Sequence, residues 1–372
     1  MPDVRLVVAP AFRFAAERAR AAVTAVVHFL SIVLPLRSSP AILTLLPFSM
    51  VGIAVLTNVN SGKNRHGKYR GLALEDVVGP DGLVIATQCV EELDDAIQTF
   101  LDRGERVVCL NGGDGTIQRV VSHVIKNDGG TENGMPLLLP LRGGTMNVIA
   151  DNLKLSGKPH DICAKAVAAV DGNGSALPIV SLPTIRVEKQ MASGTEVEYG
   201  FLFGNGALYR THRLYYEETD GGNIAAVKII LKCLAAGLTH KTRYAPVFGG
   251  QTAMKVTIDG KQMEGDTFTI CLAMMFKSLV LSFSPFREGE GDFYVLATSA
   301  RVGQLAPKLH KLFWAKEGKP APLPEEIFFN SKARELIIET SEGHTFDGEV
   351  YAIEEPHALR LTRGPDVRFL KL

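Results

Sequence analysis

The string Asn111-Gly112-Gly113-Asp114-Gly115-Thr116 sets glycines, a carboxylate and a hydroxyl between an apolar run and a helical pattern. Glycines let the main chain approach an anion with no Cβ in the way. A helix N-terminus adds N–H groups that have no intrahelical acceptor. The chemistry implied is binding of a nucleotide phosphate. Thr116 could cap the helix or touch a phosphate oxygen. Asp114 suits an anion cradle only if it binds Mg2+, takes a proton or orders the loop, and all three readings stay open.

Arg142-Gly143-Gly144-Thr145-Met146-Asn147 repeats the logic: an apolar run, two glycines, a hydroxyl and a helix start. Thr145 is a natural N-cap, and Asn147 offers a polar tip for ribose, phosphate or loop contacts. Asn58-Val59-Asn60-Ser61-Gly62-Lys63-Asn64 is a small polar loop that could wrap a nucleotide, with Lys63 or Arg65 facing phosphate. No GxxxxGK[ST] string occurs, so these loops are not a Walker A site. Far along the chain, Phe346-Asp347-Gly348-Glu349 flanks a glycine with two carboxylates at a turn. Phosphoryl transfer to an alcohol needs a base near the hydroxyl and carboxylates for Mg2+.

Strands and helices must position these strings. Gly52–Thr57, Arg106–Leu110 and Pro136–Leu141 read as buried strands, each running into one of the loops. Glu91–Leu101 has a helical apolar period and stops at Gly104, Ile117–Ile125 reads as a helix, and another begins near Met146. The alternation predicts an α/β unit with a parallel sheet, whose ligands bind at the carboxyl ends of strands. Past Leu177 the pattern changes to two-residue alternation, as in Thr184–Lys189, Ala253–Ile258 and Glu335–Thr340, with turns at Asp259-Gly260 and Glu342-Gly343. The expectation is a β-sandwich with one helical interlude at Asn223–Leu238. The expected divisions are an extension over residues 1–49, an α/β nucleotide-binding domain over 50–178, a β-rich domain over 179–364, and a tail over 365–372 that returns to the first domain.

At 372 residues the chain exceeds the usual size of one hydrophobic core. Its 40 basic and 40 acidic residues balance, which excludes a whole-protein field for nucleic acid. Five scattered cysteines without a CxxC pair point to a reducing compartment. Nine histidines show no HExxH spacing, so no zinc site is expected. Ala21–Leu36 is apolar and follows Arg5, Arg13, Arg18 and Arg20. It reads as a signal-like segment, a membrane-surface helix, or residues upstream of a true start at Met50.

Taken in order, the four strings resemble the diacylglycerol kinase catalytic family, which includes bacterial soluble diacylglycerol kinases, sphingosine kinases and ceramide kinases. The resemblance runs from Val51 to the C-terminus. It implies an α/β nucleotide domain and a β-sandwich, with ATP and Mg2+ in the cleft between them. By the same resemblance Asn58, Ser61, Gly62, Gly112, Gly113, Gly115, Thr116, Gly144, Thr145 and Asn147 hold the nucleotide. Asp347 or Glu349 takes the proton from a lipid hydroxyl, with Asp114 beside them. Ser284-Pro285 and Glu290-Gly291 are similar to the family's SP…DG segment, placing Glu290 near a structural metal site, with Asp114 the other candidate metal ligand, and Gly204–Ala207 resembles a glycine-rich turn opening the second domain. The implied acceptor is diacylglycerol, a sphingoid base or ceramide, met at a membrane by a cytoplasmic, peripherally bound protein, monomer or homodimer. Four departures stand out: Val59 replaces a proline, Gln118-Arg119 lies where a glutamate is common, Val148 follows Asn147 in place of aspartate, and Glu290 replaces a frequent aspartate. An NAD kinase-like enzyme and an inactive nucleotide- or lipid-binding module are the alternatives. Cys271–Phe276 and Leu279–Phe283 are apolar candidates for a lipid pocket or for core strands, and Asn223–Arg243 for a basic helix at lipid headgroups or one packed on the sandwich.

Overall fold

Four apolar runs make a parallel sheet, because each is long enough for a strand and too short for a helix. Strand β1 (Ile53–Asn58) lies between β2 (Leu83–Thr87) and β3 (Val107–Asn111), and β4 (Leu137–Pro140) pairs with β3. Every position of β3 and β4 is buried, as parallel strands covered on both faces require. The computed structural model describes residues 52–65, 74–80, 82–128, 135–171, 177–218, 228–229, 232–233, 236, 244–278, 284–308, 323–353 and 355–372. The expected extension, Leu279–Phe283 and most of Asn223–Arg243 lie outside the described residues. Among the described residues no helix is long and apolar enough to cross a membrane.

Beyond a single helical turn at Gly62–Arg65, the helices that follow these strands are α1 (Leu74–Val78), α2 (Val90–Arg103), α3 (Asp114–Asp128), α4 (Val148–Asn152) and α5 (Pro159–Asp171). Helix α2 buries Leu93, Ala96, Ile97 and Phe100, one face of a helical period. It stops where Gly104 turns left-handed (φ 66°), so that the N–H groups of Gly104 and Glu105 bond back to Leu101 and Phe100. The chain passes from β1 to β2 on one side, then returns across β1 to β3. The strand order therefore reverses between β1 and β3, and their carboxyl ends open a crevice there.

The second half holds β5 (Ile179–Met191), β6 (Gly194–Gly200), β7 (Leu202–Gly206), helix α6 (Ala207–Glu218), helix α7 (Ala245–Gly249), β8 (Thr252–Ile258), β9 (Lys261–Gln262), β10 (Thr267–Phe268), β11 (Ile270–Met274), β12 (Phe293–Thr298), β13 (Phe328–Ala333), β14 (Glu335–Thr340), β15 (His344–Phe346), β16 (Glu349–Tyr351) and β17 (His357–Leu370). An antiparallel sheet runs β13-β12-β11-β7-β15-β16. It packs on β5, β8, β14 and β17, with Phe203, Cys271, Val295 and Phe346 meeting Val187, Val256, Ile338 and Leu361 in one core. Alternate residues of β8 are buried, the mark of a half-covered strand. Each buried phenylalanine of that core contributes ~1.5–3 kcal/mol.

Strand β17 joins the two halves. It pairs antiparallel with β14 and β5, shifts register between Arg363 and Asp366, and ends with Phe369 beside Leu138 of β4. The parallel sheet and one layer of the sandwich are therefore a single continuous sheet, and residues 50–372 form one compact unit. Two local expectations change. Strand β2 was not anticipated, because its half-buried residues lack a clean alternation. Gly204–Ala207 is not a turn: Gly204 lies within β7 against Leu272 and Thr345 of its neighbours, and the chain turns only at Gly206 (φ 68°).

Candidate active site

Three loops leave the carboxyl ends of β1, β3 and β4 and meet at the crevice. The first N–H groups of α3 have no intrahelical acceptor and sit at the end of the glycine string. Main chain packs on main chain here. A Cβ at Gly144 would overlap the Cα of Gly113, and one at Gly143 would press on the Asn111 carboxamide and backbone. Side-chain bonds then tie the loops together. Asn58 Nδ2 donates to Thr116 Oγ1 (2.9 Å), while Asn64 Nδ2 donates to the carbonyls of Asn58 (2.8 Å) and Asn111 (2.9 Å). The Lys63 N–H and Ser61 Oγ both reach the Gly143 carbonyl, at 3.0 and 3.3 Å. A Cβ at Gly62 would strike the hydroxyl of Thr145. Asn147, left-handed at φ 55°, closes its own loop through Gly144, accepting its N–H (3.0 Å) and donating to its carbonyl (2.9 Å).

Asp114 proves to be the organiser of this arrangement. Its two carboxylate oxygens accept the N–H groups of Val148 (3.0 Å) and Ile149 (3.1 Å). The acid of the first glycine loop thus caps α4, the helix that follows the second, using the affinity of a carboxylate for a helix start. Burial raises its pKa; the N–H groups of Ile149 and Val148 oppose the shift, and Asp151 adds to it.

The hairpin joining β15 to β16 closes the crevice from the other half of the chain. Phe346 pairs with Glu349, leaving Asp347 (φ 44°) and Gly348 (φ 93°) as a two-residue turn. Both need the left-handed region, which Asp-Gly supplies at low cost. The two acids face different surroundings. Asp347 is buried, accepts the Phe201 N–H at 2.7 Å and donates its own N–H to Leu202 O at 2.8 Å. Burial pushes its pKa well above the usual carboxylate range, and nearby Asp114 adds to this. Glu349 is an exposed residue, yet its carboxylate lies against Gly115, where any Cβ would collide with it. Desolvation raises its pKa as well, and no described group hydrogen-bonds its carboxylate.

The crevice therefore gathers Asn58, Ser61, Gly62, Gly112, Gly113, Asp114, Gly115, Thr116, Gly144, Thr145, Asn147, Asp347 and Glu349. Glu290 is not among them. Its side chain is 95% exposed and faces Arg334 at 3.5 Å, in the loop before β12. The Ser284-Pro285 segment is instead tied to β13, where Asn330 Nδ2 donates to Pro285 O (2.8 Å). Among the described residues no three His, Cys, Asp or Glu side chains cluster as metal ligands. The site fits a polyphosphate, because glycine-lined main chain and the α3 N-terminus face it. It does not fit a resident metal held by protein ligands alone, since the Asp114 oxygens are engaged by α4. A magnesium ion carried in by nucleotide phosphates needs only one or two carboxylates.

Ser122, His212 and Tyr216 escaped the sequence reading, and Gln118 and Arg119 entered it only as departures from the family pattern. Gln118 and Ser122 of α3 dock on β6: Ser122 Oγ donates to Tyr199 O (2.9 Å) and accepts its N–H (2.8 Å), and Gln118 Nε2 reaches the same carbonyl (3.3 Å). Arg119, the departure beside Gln118, pairs bidentately with Asp94 of α2. His212 and Tyr216 of α6 lie against the hairpin. Their spacing of four residues, one helical turn just past Gly206, was the available signal.

Residues 52–177 match the family model of the diacylglycerol kinase catalytic domain. Among solved structures, a protein from Bacillus anthracis reported as a diacylglycerol kinase has a similar fold (TM-score 0.56, 15% identity), covering 87% of this chain and 98% of its own. Two further structures from the same organism, described likewise, give TM-scores of 0.51 and 0.56 at 14% identity, with the same coverage. At that identity the likeness speaks to the fold alone. A comparison with curated protein sequences gives no significant match.

Proposed function

We infer, from a chain that carries a diacylglycerol kinase catalytic domain over residues 52–177, transfer of the γ-phosphoryl group of magnesium-bound ATP to the hydroxyl of a membrane lipid. Diacylglycerol is the first candidate acceptor, ahead of a sphingoid base or ceramide. The observation that carries this reading is the Glu349 carboxylate on Gly115, an acid from the β-rich half on the phosphate loop of the other half. In this reading the α3 N-terminus and the glycine main chain hold the phosphates, and Thr116 and Asn58 brace them. Magnesium supplies neutralisation of phosphate charge. Glu349 accepts the hydroxyl proton as the lipid oxygen bonds to the γ-phosphorus and the bond to the β,γ-bridging oxygen breaks, releasing ADP. Its raised pKa suits a base, because a more basic carboxylate takes a proton more readily. Asp347 positions rather than reacts, since the Phe201 N–H and burial occupy it.

Labelled ATP, magnesium and vesicles containing diacylglycerol, sphingosine or ceramide test the reading. The expected result is labelled phospholipid from one class. Substituting Glu349→Gln should lower kcat by about 100-fold or more while nucleotide binding persists. Transfer to NAD, with none to any lipid, would sink the proposal.

A further inference from the structure

The hairpin that carries Glu349 does not hold its place alone. Helix α6 leaves β7 and lays His212 and Tyr216, one turn apart, against it. The two rings are stacked with centroids 5.3 Å apart and planes within 3°. His212 Nδ1 lies 2.8 Å from Thr345 Oγ1, and Thr345 Oγ1 donates to Glu349 O at 2.9 Å. Tyr216 OH donates to Gly348 O at 2.9 Å. A hydroxyl has one hydrogen. That of Thr345 goes to Glu349, so His212 must donate from Nδ1, which fixes its neutral tautomer. The stack thus fastens the turn at Thr345 and at Gly348, on either side of Asp347.

We propose that His212, backed by Tyr216, is a positioning residue that holds Glu349 over Gly115 at the phosphate loop. This rests on the reading of Glu349 as the base, and it adds a residue that neither the family motif nor the fold likeness names. Neutral His212 is consistent with it, for burial lowers its pKa to about 4. The neighbourhood of Glu349 is short of positive charge. Tyr216 of α6 feels the Glu349 charge together with that of Asp114, and Tyr351 of β16 feels it together with that of Asp347. Arg119 and Glu198 lie further along, beside Tyr351. With no cation beside the carboxylate among the described residues, its place depends on how the backbone is fastened.

The test compares His212→Ala, His212→Asn and Tyr216→Phe in the full chain, with vesicles of the lipid that the parent phosphorylates. Loss of the donor at Thr345 should lower kcat by about 10- to 100-fold with KM for ATP unchanged. The acidic limb of the pH profile should move down as the freed carboxylate regains water. Asn keeps an N–H donor, so His212→Asn should recover most of the rate. Tyr216→Phe, which loses one hydroxyl and keeps the stack, should show a smaller fall with the same shift. A parent-like rate and pH limb in His212→Ala would overturn the proposal. So would an His212→Asn protein as impaired as the alanine variant. If the parent phosphorylates no lipid, the reading of function fails instead. Titration of Glu349 by carbon NMR then still decides whether His212 sets its surroundings, a pKa unmoved in His212→Ala refuting that role.

Discussion

In the proposed reading, the phosphate side of the crevice and its acceptor side are built from different materials. On the phosphate side three loops pack backbone against backbone, and glycine is required by direct contact at Gly143 and Gly144. On the acceptor side a hairpin is held by side chains from a helix more than a hundred residues earlier in the chain: His212, Tyr216 and their bonds to Thr345 and Gly348. The first surface is nearly rigid in composition, since a single methyl group has nowhere to go. The second depends on a few long-range hydrogen bonds, each worth roughly 0.5–1.5 kcal/mol. On that reading, such a site would bind the nucleotide through shape and adjust the acceptor through fastening.

The sharpest way to break that comparison is a pair of glycine substitutions. In Gly144→Ala the new Cβ meets the Cα of Gly113, main chain that cannot rotate away. Nucleotide binding by calorimetry should disappear, and kcat/KM for ATP should fall by about 100-fold or more. In Gly348→Ala the Cβ finds open space, its nearest neighbour being His212 Cε1 at 3.9 Å. Only the left-handed backbone is strained, at about 1–2 kcal/mol, so the melting temperature should drop while nucleotide still binds. Equal nucleotide affinity in the two variants would erase the distinction.

Asp114 gives the next largest effect and separates two roles for one residue. As the cap of α4 it needs two acceptor oxygens. Asp114→Asn offers one oxygen and turns an amide towards the other N–H, which costs about 1–3 kcal/mol. Thermal stability should fall and KM for ATP should rise by about tenfold, roughly 1.4 kcal/mol of binding. Added magnesium should restore neither. Recovery at high magnesium with an unchanged melting temperature would make Asp114 a metal ligand.

The same contrast explains how much could be read in advance. Loops coded by local backbone demands leave short strings, and Gly112–Thr116 and Gly143–Asn147 were visible because glycine, hydroxyl and helix start lie within six residues. The strands leading to them were visible as apolar runs, and β8 and β14 through alternation. The acceptor wall left no such string, because His212 and Thr345 are neighbours only after β7 and β15 have paired. Asp114 could be read only as one of three roles, because its partners, Val148 and Ile149, are more than thirty residues away. Glu290 looked like a ligand from its place in a string, but the chain delivers it to the surface beside Arg334. The tail over 365–372 was expected to return to the first domain, but its joining the two sheets into one was not legible, since that rests on one pairing, Phe369 with Leu138.

The smallest expected effect lies behind the hairpin, where side-chain construction carries a cost. His344 is fully buried between Phe203 and Tyr351, ring centroids 5.3 and 4.9 Å away, and both its ring nitrogens lack a hydrogen-bond partner among the described residues. Burial, with Lys189 and His357 adding, lowers its pKa to about 3. Its folded value is below its unfolded value near 6.5. Between the two the unfolded chain binds the extra proton, so this contribution is complete above pH 6.5 and is lost as pH falls towards 3. Asp347 has the opposite sign: with a raised folded value, it favours the folded state most at low pH, and that contribution fades as pH rises. His344→Phe keeps a flat ring in the stack and removes two unpartnered polar atoms. It should gain about 1 kcal/mol at pH 7 and a larger margin over the parent at pH 5, measured by denaturant unfolding. A variant less stable than the parent at both pH values would mean that the imidazole makes an interaction in the fold, and that this wall is better satisfied than its side chains indicate.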